Sequence, residues 1–193
     1  MKGRLSGPRR SATATIKAET TSPAPFAHSV ILGIDPSLRG TGFGVIRLDK
    51  PHPVALAFGT IICPKAWLLS RCLLRISTEL QEVIREHRPT ACAVEGLFFA
   101  QNLRTALIMG EARGASLVAA AAGGMEIFEI SPRKMKLAMV GYGGAQKSAV
   151  SQMVRRMLHL VDLPAPDAAD ALALALTLAQ ETGRHSIAAP KQL

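Results

Sequence analysis

Four acidic residues, Asp35, Glu95, Asp167 and Asp170, have the chemistry and placement to gather around hard divalent cations. Asp35 and Glu95 each close a short apolar run, Val30–Asp35 and Ala91–Glu95, that reads as a β-strand. In an open α/β sheet, ligands bind beyond the carboxyl ends of the strands, so two carboxylates distant in sequence can meet at one edge. Asp167 and Asp170 stand three residues apart at the start of a helical pattern and share a face of its first turn. Carboxylate oxygens are the ligands Mg²⁺ requires, and paired ions activate water and stabilise the leaving 3′ oxygen of a phosphodiester. The set predicts metal-dependent hydrolysis of a nucleic-acid backbone.

Each acid also has an ordinary structural alternative. Asp35 precedes Pro36 and suits a turn, and Asp167 suits a helix N-cap or a dipole partner. Asp170 lies inside the apolar run 168–178, and Glu95 follows Ala-Cys-Ala-Val, where burying a lone carboxylate is costly. These two resist the structural explanation, and the set is stronger than any member.

The chain carries 23 Lys and Arg against 14 Asp and Glu in 193 residues, a net charge of +9. That surplus favours polyanions, because basic side chains release counterions from phosphates. Apolar residues make up 48% of the sequence, with no run long enough to span a bilayer, as expected of a soluble globular chain. Cys63, Cys72 and Cys92 lack CxxC spacing and lie in apolar stretches, which predicts buried, reduced thiols in a cytoplasmic setting rather than a zinc site. His28, His52, His87, His159 and His185 show no ligand spacing.

Residues 1–29 show no hydrophobic periodicity and carry Lys2, Arg4, Arg9, Arg10 and Lys17 against Glu19, a net +4 that leaves +5 on the remainder. They are expected to form a disordered basic tail. Its Arg- and Ser-rich, acid-poor composition suits weak DNA attraction and equally an organellar transit peptide. Residues 30–182 pattern as one domain, and 183–193 as a short C-terminal tail.

Within that domain, three closely spaced strands (Val30–Asp35, then 40–48 and 53–63) predict an antiparallel meander. A helix over 66–87 shows 3–4 spacing of apolar residues, and Ala91–Glu95 has the wholly apolar character of a covered parallel strand. A helix over 102–122 contains Gly110 and Gly114, which suggest close packing within the core or against a second subunit. A strand over 125–130 leads to Ser131-Pro132, an N-cap followed by Pro at the first helical position. Helices follow from 132 to near 141, over 147–160, with Arg155 and Arg156 as a surface pair, and over 167–181. The order βββαβα, then a strand and trailing helices, is that of an α/β, RNase H-like mixed five-stranded sheet flanked by helices.

The chain resembles the RuvC family of crossover junction endodeoxyribonucleases. The resemblance is carried in order by Ile34-Asp35-Pro36 with Gly40, Gly42 and Gly44, by Val94-Glu95 with Phe98, Phe99 and Asn102, and by Gly110, Arg113 and Gly114. It continues through Lys136 to Val140-Gly141, Lys147-Ser148, and the stretch from Asp167 through Asp170. Ser37 stands where many members have Gly, and Gly96 replaces a commonly polar residue, but no ligand position is lost. The resemblance implies a Holliday-junction resolvase that works as a homodimer on four-way junction DNA. Each subunit cuts one of two strands of like polarity, leaving 5′-phosphate and 3′-hydroxyl ends. Asp35, Glu95, Asp167 and Asp170 become catalytic metal ligands for Mg²⁺, two ions per site, with Mn²⁺ able to substitute. Phe98 becomes an aromatic that stacks near the junction centre, and Lys136 and Lys147 become phosphate contacts. The RuvA–RuvB branch-migration complex is the expected partner.

Read without the resemblance, Phe98 and Phe99 follow a strand exit where an aromatic stacks on an unpaired base or joins the core. Lys136 and Lys147 flank the Gly-rich link 141–144, a natural place for phosphate contacts, though each alone is also an ordinary solvated charge. Two other function classes fit parts of the pattern. The four intact acids argue against a junction-binding protein without catalysis. An actin-like ATPase needs two phosphate-cradling halves, and this chain has room for one.

Overall fold

The computed structural model of the protein describes residues 28–96, 102–182 and 191–193. Val30–Asp35 (β1), Gly40–Arg47 (β2) and Val54–Ile62 (β3) form the antiparallel meander, with a register shift between Val45 and Ile46. Ala91–Glu95 (β4) then lies parallel to β1, and Glu126–Ile130 (β5) lies parallel to β4. The sheet order is β3-β2-β1-β4-β5-β6, where β6 is Lys191–Gln192, antiparallel to β5. All five expected strands are present, and this two-residue strand adds a sixth. It also attaches the end of the expected C-terminal tail to the sheet edge, while 183–190 and 1–27 lie outside the described residues.

The helices end where their capping chemistry directs. Leu69–His87 (α1) closes on Arg88 in the left-handed region, whose N–H donates to the Ile84 carbonyl at 2.8 Å just before Pro89. Leu103–Ala122 (α2) is capped by Asn102, whose side chain accepts from Thr105 N–H at 2.9 Å. Ser131 caps Pro132–Val140 (α3) in the same way, accepting from Lys134 N–H at 3.1 Å. Lys147–Met157 (α4) and Pro166–Thr182 (α5) complete the chain.

The two faces of the sheet carry separate cores. One packs α1 and α2 over Leu32, Ile34, Cys92 and Val94. The other packs α3, α4 and α5 over Ile31, Ala93, Phe128 and Ile130. Alternation along β1 and β4 sends successive side chains to opposite layers, so both faces must be apolar. Helix α5 is central: Leu172, Leu174, Leu176 and Leu178 are almost wholly excluded from water, each contributing about 1.5–3 kcal/mol relative to exposure. It seats on β1 and β2 through glycines. A Cβ on Gly33 would overlap the Ala171 carbonyl, and one on Gly42 the Asp167 carbonyl.

Gly110 and Gly114 depart from the expectation of close packing in the core. A Cβ at either would meet nothing within 4 Å, so α2 does not approach another element of this chain there. All three cysteines are free and buried, as their apolar surroundings suggest, and burial pushes the Cys92 thiol up to about 12.

Candidate active site

Parallel pairing places the ends of β1 and β4 side by side, with Ile34 opposite Val94, so Asp35 and Glu95 emerge as neighbours. Their carboxyl groups share a hydrogen bond in which Glu95 donates and Asp35 accepts. Burial is the main cause of a Glu95 carboxyl pushed up to about 9, reinforced by that hydrogen bond and by the charges of Asp35 and Asp170. Burial likewise raises Asp35, opposed by the hydrogen bond from Glu95. Desolvation disfavours the charged form, and adjacent carboxylates add repulsion in the same direction.

Helix α5 brings the other two acids to this edge. Asp170 is 6% exposed, and Lys147, at the first position of α4, donates to its Oδ2 at 2.7 Å. That bond is the leading cause of a Lys147 ammonium held above its ordinary range. Lys147 also acts electrostatically on Asp35 and Glu95, so it is the cation facing the acids. Asp167 adds its negative charge to the field at Asp35. Pro166 opens α5, which puts Asp167 one residue inside the helix rather than at the cap, where its charge still complements the helix dipole.

The turn after Asp35 is closed by Thr41, whose hydroxyl donates to the Ser37 carbonyl at 2.6 Å and accepts from Ser37 N–H at 3.2 Å. A serine therefore serves where glycine is common. Gly96 does not loosen the strand end: its N–H donates to the Ile130 carbonyl at 3.0 Å and carries the ladder past Glu95.

The fold does not bring Lys136 to the carboxylates. It is part-buried in the middle of α3, with no hydrogen bond or ion pair to an acid of the set. Phe98 and Phe99 lie outside the described residues. Arg113, to which the sequence assigns no role, stands directly behind the site. Its Nε donates to the Glu95 main-chain carbonyl at 3.2 Å, and its guanidinium pairs with Glu129 on β5. Lys191 reaches Glu129 from β6 at 3.4 Å. An Arg set between Ala112 and Gly114 in the small-residue half of α2, with Glu129 on the alternating strand Glu126–Ile130, is the available signal.

Among the described residues, no three His, Cys, Asp or Glu donors are drawn tightly enough together to cage an ion as they stand. The donor set nevertheless fits a hard cation. It is all carboxylate oxygen, its two strand-end members share a proton, and a third takes its countercharge from a lysine. A divalent ion would replace the proton and free the lysine.

Comparison with known proteins gives a consistent result. The profile of the family described as Crossover junction endodeoxyribonuclease RuvC matches residues 31–178. A relative of that name from Heliobacterium modesticaldum is 46% identical over 151 residues, covering 78% of this chain and 93% of that protein. One from Akkermansia muciniphila is 44% identical over 147 residues, covering 76% and 88%. The solved structure of T. thermophilus RuvC in complex with Holliday junction substrate superposes with a TM-score of 0.77 at 35% identity. It covers 86% of this chain and 100% of that one.

Proposed function

The chain belongs to the RuvC family of crossover junction endodeoxyribonucleases and is a Holliday-junction resolvase, and we propose that Asp35, Glu95, Asp167 and Asp170 are its catalytic metal ligands. The observation that carries this reading is the pair of strand-end carboxyls, Asp35 and Glu95, half-buried side by side and facing Asp170 and Lys147. Structural carboxylates are seldom buried beside one another without a cation.

The enzyme is a divalent-metal-dependent nuclease, and we take the metal to be Mg²⁺, two ions per site, with Mn²⁺ able to replace it. Bound among these oxygens, the ions supply an activated water and neutralise the leaving 3′ oxygen. The chain's own residues do the rest. Asp35 and Glu95 hold fixed positions on adjacent strands, and Asp170 is presented from a helix that cannot move without unpacking its core. Lys147 is two-thirds exposed while touching Asp170, so it can turn toward a phosphate when a metal takes over the carboxylate.

The same reading extends to the DNA. Four-way junction DNA binds across this edge, Phe98 stacks near the junction centre, and Lys136 contacts phosphate away from the acids. A homodimer makes the paired symmetric cuts, and the unfilled space beside Gly110 and Gly114 leaves room for the close approach of a second subunit. RuvA–RuvB is the proposed motor partner. No described helix is long and apolar enough to cross a membrane. The cytoplasmic assignment rests instead on the family to which the chain belongs. The nuclease domain expected over 30–182 also takes in His28 and Ser29, which bond Thr90 and Leu48, and the edge strand β6, which leaves the basic tail to the residues before His28.

Cleavage of a synthetic four-way junction with and without Mg²⁺, by wild type and Glu95→Gln, tests the assignment. Wild type should cut and Glu95→Gln should bind without cutting. Retained Mg²⁺-dependent cleavage by the variant would remove Glu95 from the site.

A further inference from the structure

Helix α4 begins in the candidate active site at Lys147 and runs away from it. Its buried face is Val150 and Val154, and its outer face is polar: Ser148, Gln152, Arg155 and Arg156 are all exposed. Ser148, Gln152 and Arg155 fall on one stripe at helical spacing, and the helix contains no acidic residue. At its far end lies an open hollow of about 700 Å³ lined by Gln152, Arg155, Arg156 and His159. His159 adopts a left-handed backbone, with φ of 51°, at a place where glycine is the usual residue. That conformation sets its ring 5.0 Å from that of His52, which arrives from the β2–β3 turn. Neither arginine has an ion-pair partner among the described residues.

Two adjacent arginines without carboxylate partners, with His159 beside them in the same hollow, form a receptor for phosphate oxygens. The spacing suits DNA. Arg155 and Arg156 stand eight and nine residues beyond Lys147, a rise of about 12–14 Å, which is that of roughly four base pairs at 3.4 Å each. We infer that the exposed face of α4 is a track for one duplex arm of the junction, with Arg155 and Arg156 seating backbone phosphates about four base pairs from the cut. This rests on the reading of the chain as a junction nuclease. The chemistry recognised is the phosphate backbone, without base specificity.

The test is the salt dependence of junction binding, measured in EDTA with a synthetic four-way junction of 20-base-pair arms. Each phosphate contact contributes roughly 0.9 to the slope of log K against log salt. Replacing both arginines (Arg155→Gln with Arg156→Gln) should flatten that slope by about 1–2, and the Lys/Lys pair should restore it. The deficit should grow as arms lengthen past about four base pairs, and Arg85→Gln, on α1 in the opposite layer, should leave the slope at the wild-type value. An unchanged slope in the double Gln variant overturns the track, as does a lowered Tm with no change of slope, which would confine the arginines to the helix dipole. Failure of the wild type itself to bind or cut junctions would instead remove the reading beneath the inference.

Discussion

Gly42 and Asp167 touch through their backbones: the main-chain carbonyl of Asp167 occupies the space that a Cβ on Gly42 would need. The contact explains why α5 can lie low enough on β1 and β2 to present Asp167 and Asp170 to a carboxylate at the end of β1. Gly42 also pairs with Asp35 across the hairpin, so one glycine joins the seat of the helix to the strand bearing the first acid.

Gly42→Ala should therefore damage both stability and chemistry. Overpacking against backbone costs about 1–3 kcal/mol or more, which for a chain of this size lowers Tm by roughly 2–4 °C per kcal/mol. Cleavage measured well below the new Tm should fall further than melting accounts for, because α5 carries two of the acids. A variant with wild-type melting and wild-type cleavage would show that the helix is not seated on this glycine.

The Asp35–Glu95 pair gives the metal-free protein a definite pH dependence. Glu95 sits near 4.5 when unfolded and about 9 when folded, so between those values the folded state binds the extra proton. Stability is then fully present below pH about 4.5 and is lost as pH rises toward 9. Asp35 is raised as well and acts in the same direction. Divalent cations should reverse this trend by favouring the ionised carboxylates, and Glu95→Gln should flatten it. Thermal melts from pH 5 to 9, in EDTA and in Mg²⁺, check both signs. A metal-free Tm that climbed with pH would contradict the buried pair.

Lys147 has two partners in prospect, Asp170 and substrate phosphate, and its substitution should separate them. Lys147→Met should lower the Tm of metal-free protein, since Asp170 loses its counterion at 2.7 Å. Saturating Mg²⁺ should narrow that deficit, because the metal supplies the missing charge. Cleavage should drop on the order of 10²-fold even at saturating Mg²⁺, the scale seen when one donor to developing charge is removed. Unimpaired cleavage would leave Lys147 as a counterion alone.

Much of this arrangement is legible in the sequence because local rules and the fold agree. Apolar runs ending in Asp35 and Glu95 mark two strand ends, and Ser131-Pro132 marks the helix start that the structure shows, with Ser131 as the cap and Pro132 as the first helical residue. Other features depend on contacts between distant segments. The glycines of β2 stand out in the sequence, but nothing local says that α5 lies against them. The pair Gly110 and Gly114 signals close packing and meets nothing among the described residues, so the pattern is silent about the partner. Asp167 reads as a cap from sequence because Pro166 hides the helix start one residue earlier. The two-residue strand β6 is too short for any periodicity and exists only through pairing with β5.

Arg113 shows how far a residue outside the acidic set can govern it. It donates to the main-chain carbonyl of Glu95 and pairs with Glu129, with both side chains at least four-fifths buried. Arg113→Met leaves Glu129 with the longer and more exposed Lys191 contact and strips the carbonyl of its donor, at a cost on the order of 2–3 kcal/mol. A purely structural role would stop there. As a positioning residue for Glu95, Arg113 should also set how well the acids hold metal, and outer partners of metal ligands typically govern affinity by 10–100-fold. The Mg²⁺ concentration for half-maximal cleavage should rise by about that factor in Arg113→Met. Arg113→Lys should recover part of the stability but less of the metal response, because an ammonium cannot reproduce the two-sided guanidinium contact. A variant that melts early yet keeps the wild-type Mg²⁺ half-saturation would confine Arg113 to stability and leave Glu95 positioned by its own strand.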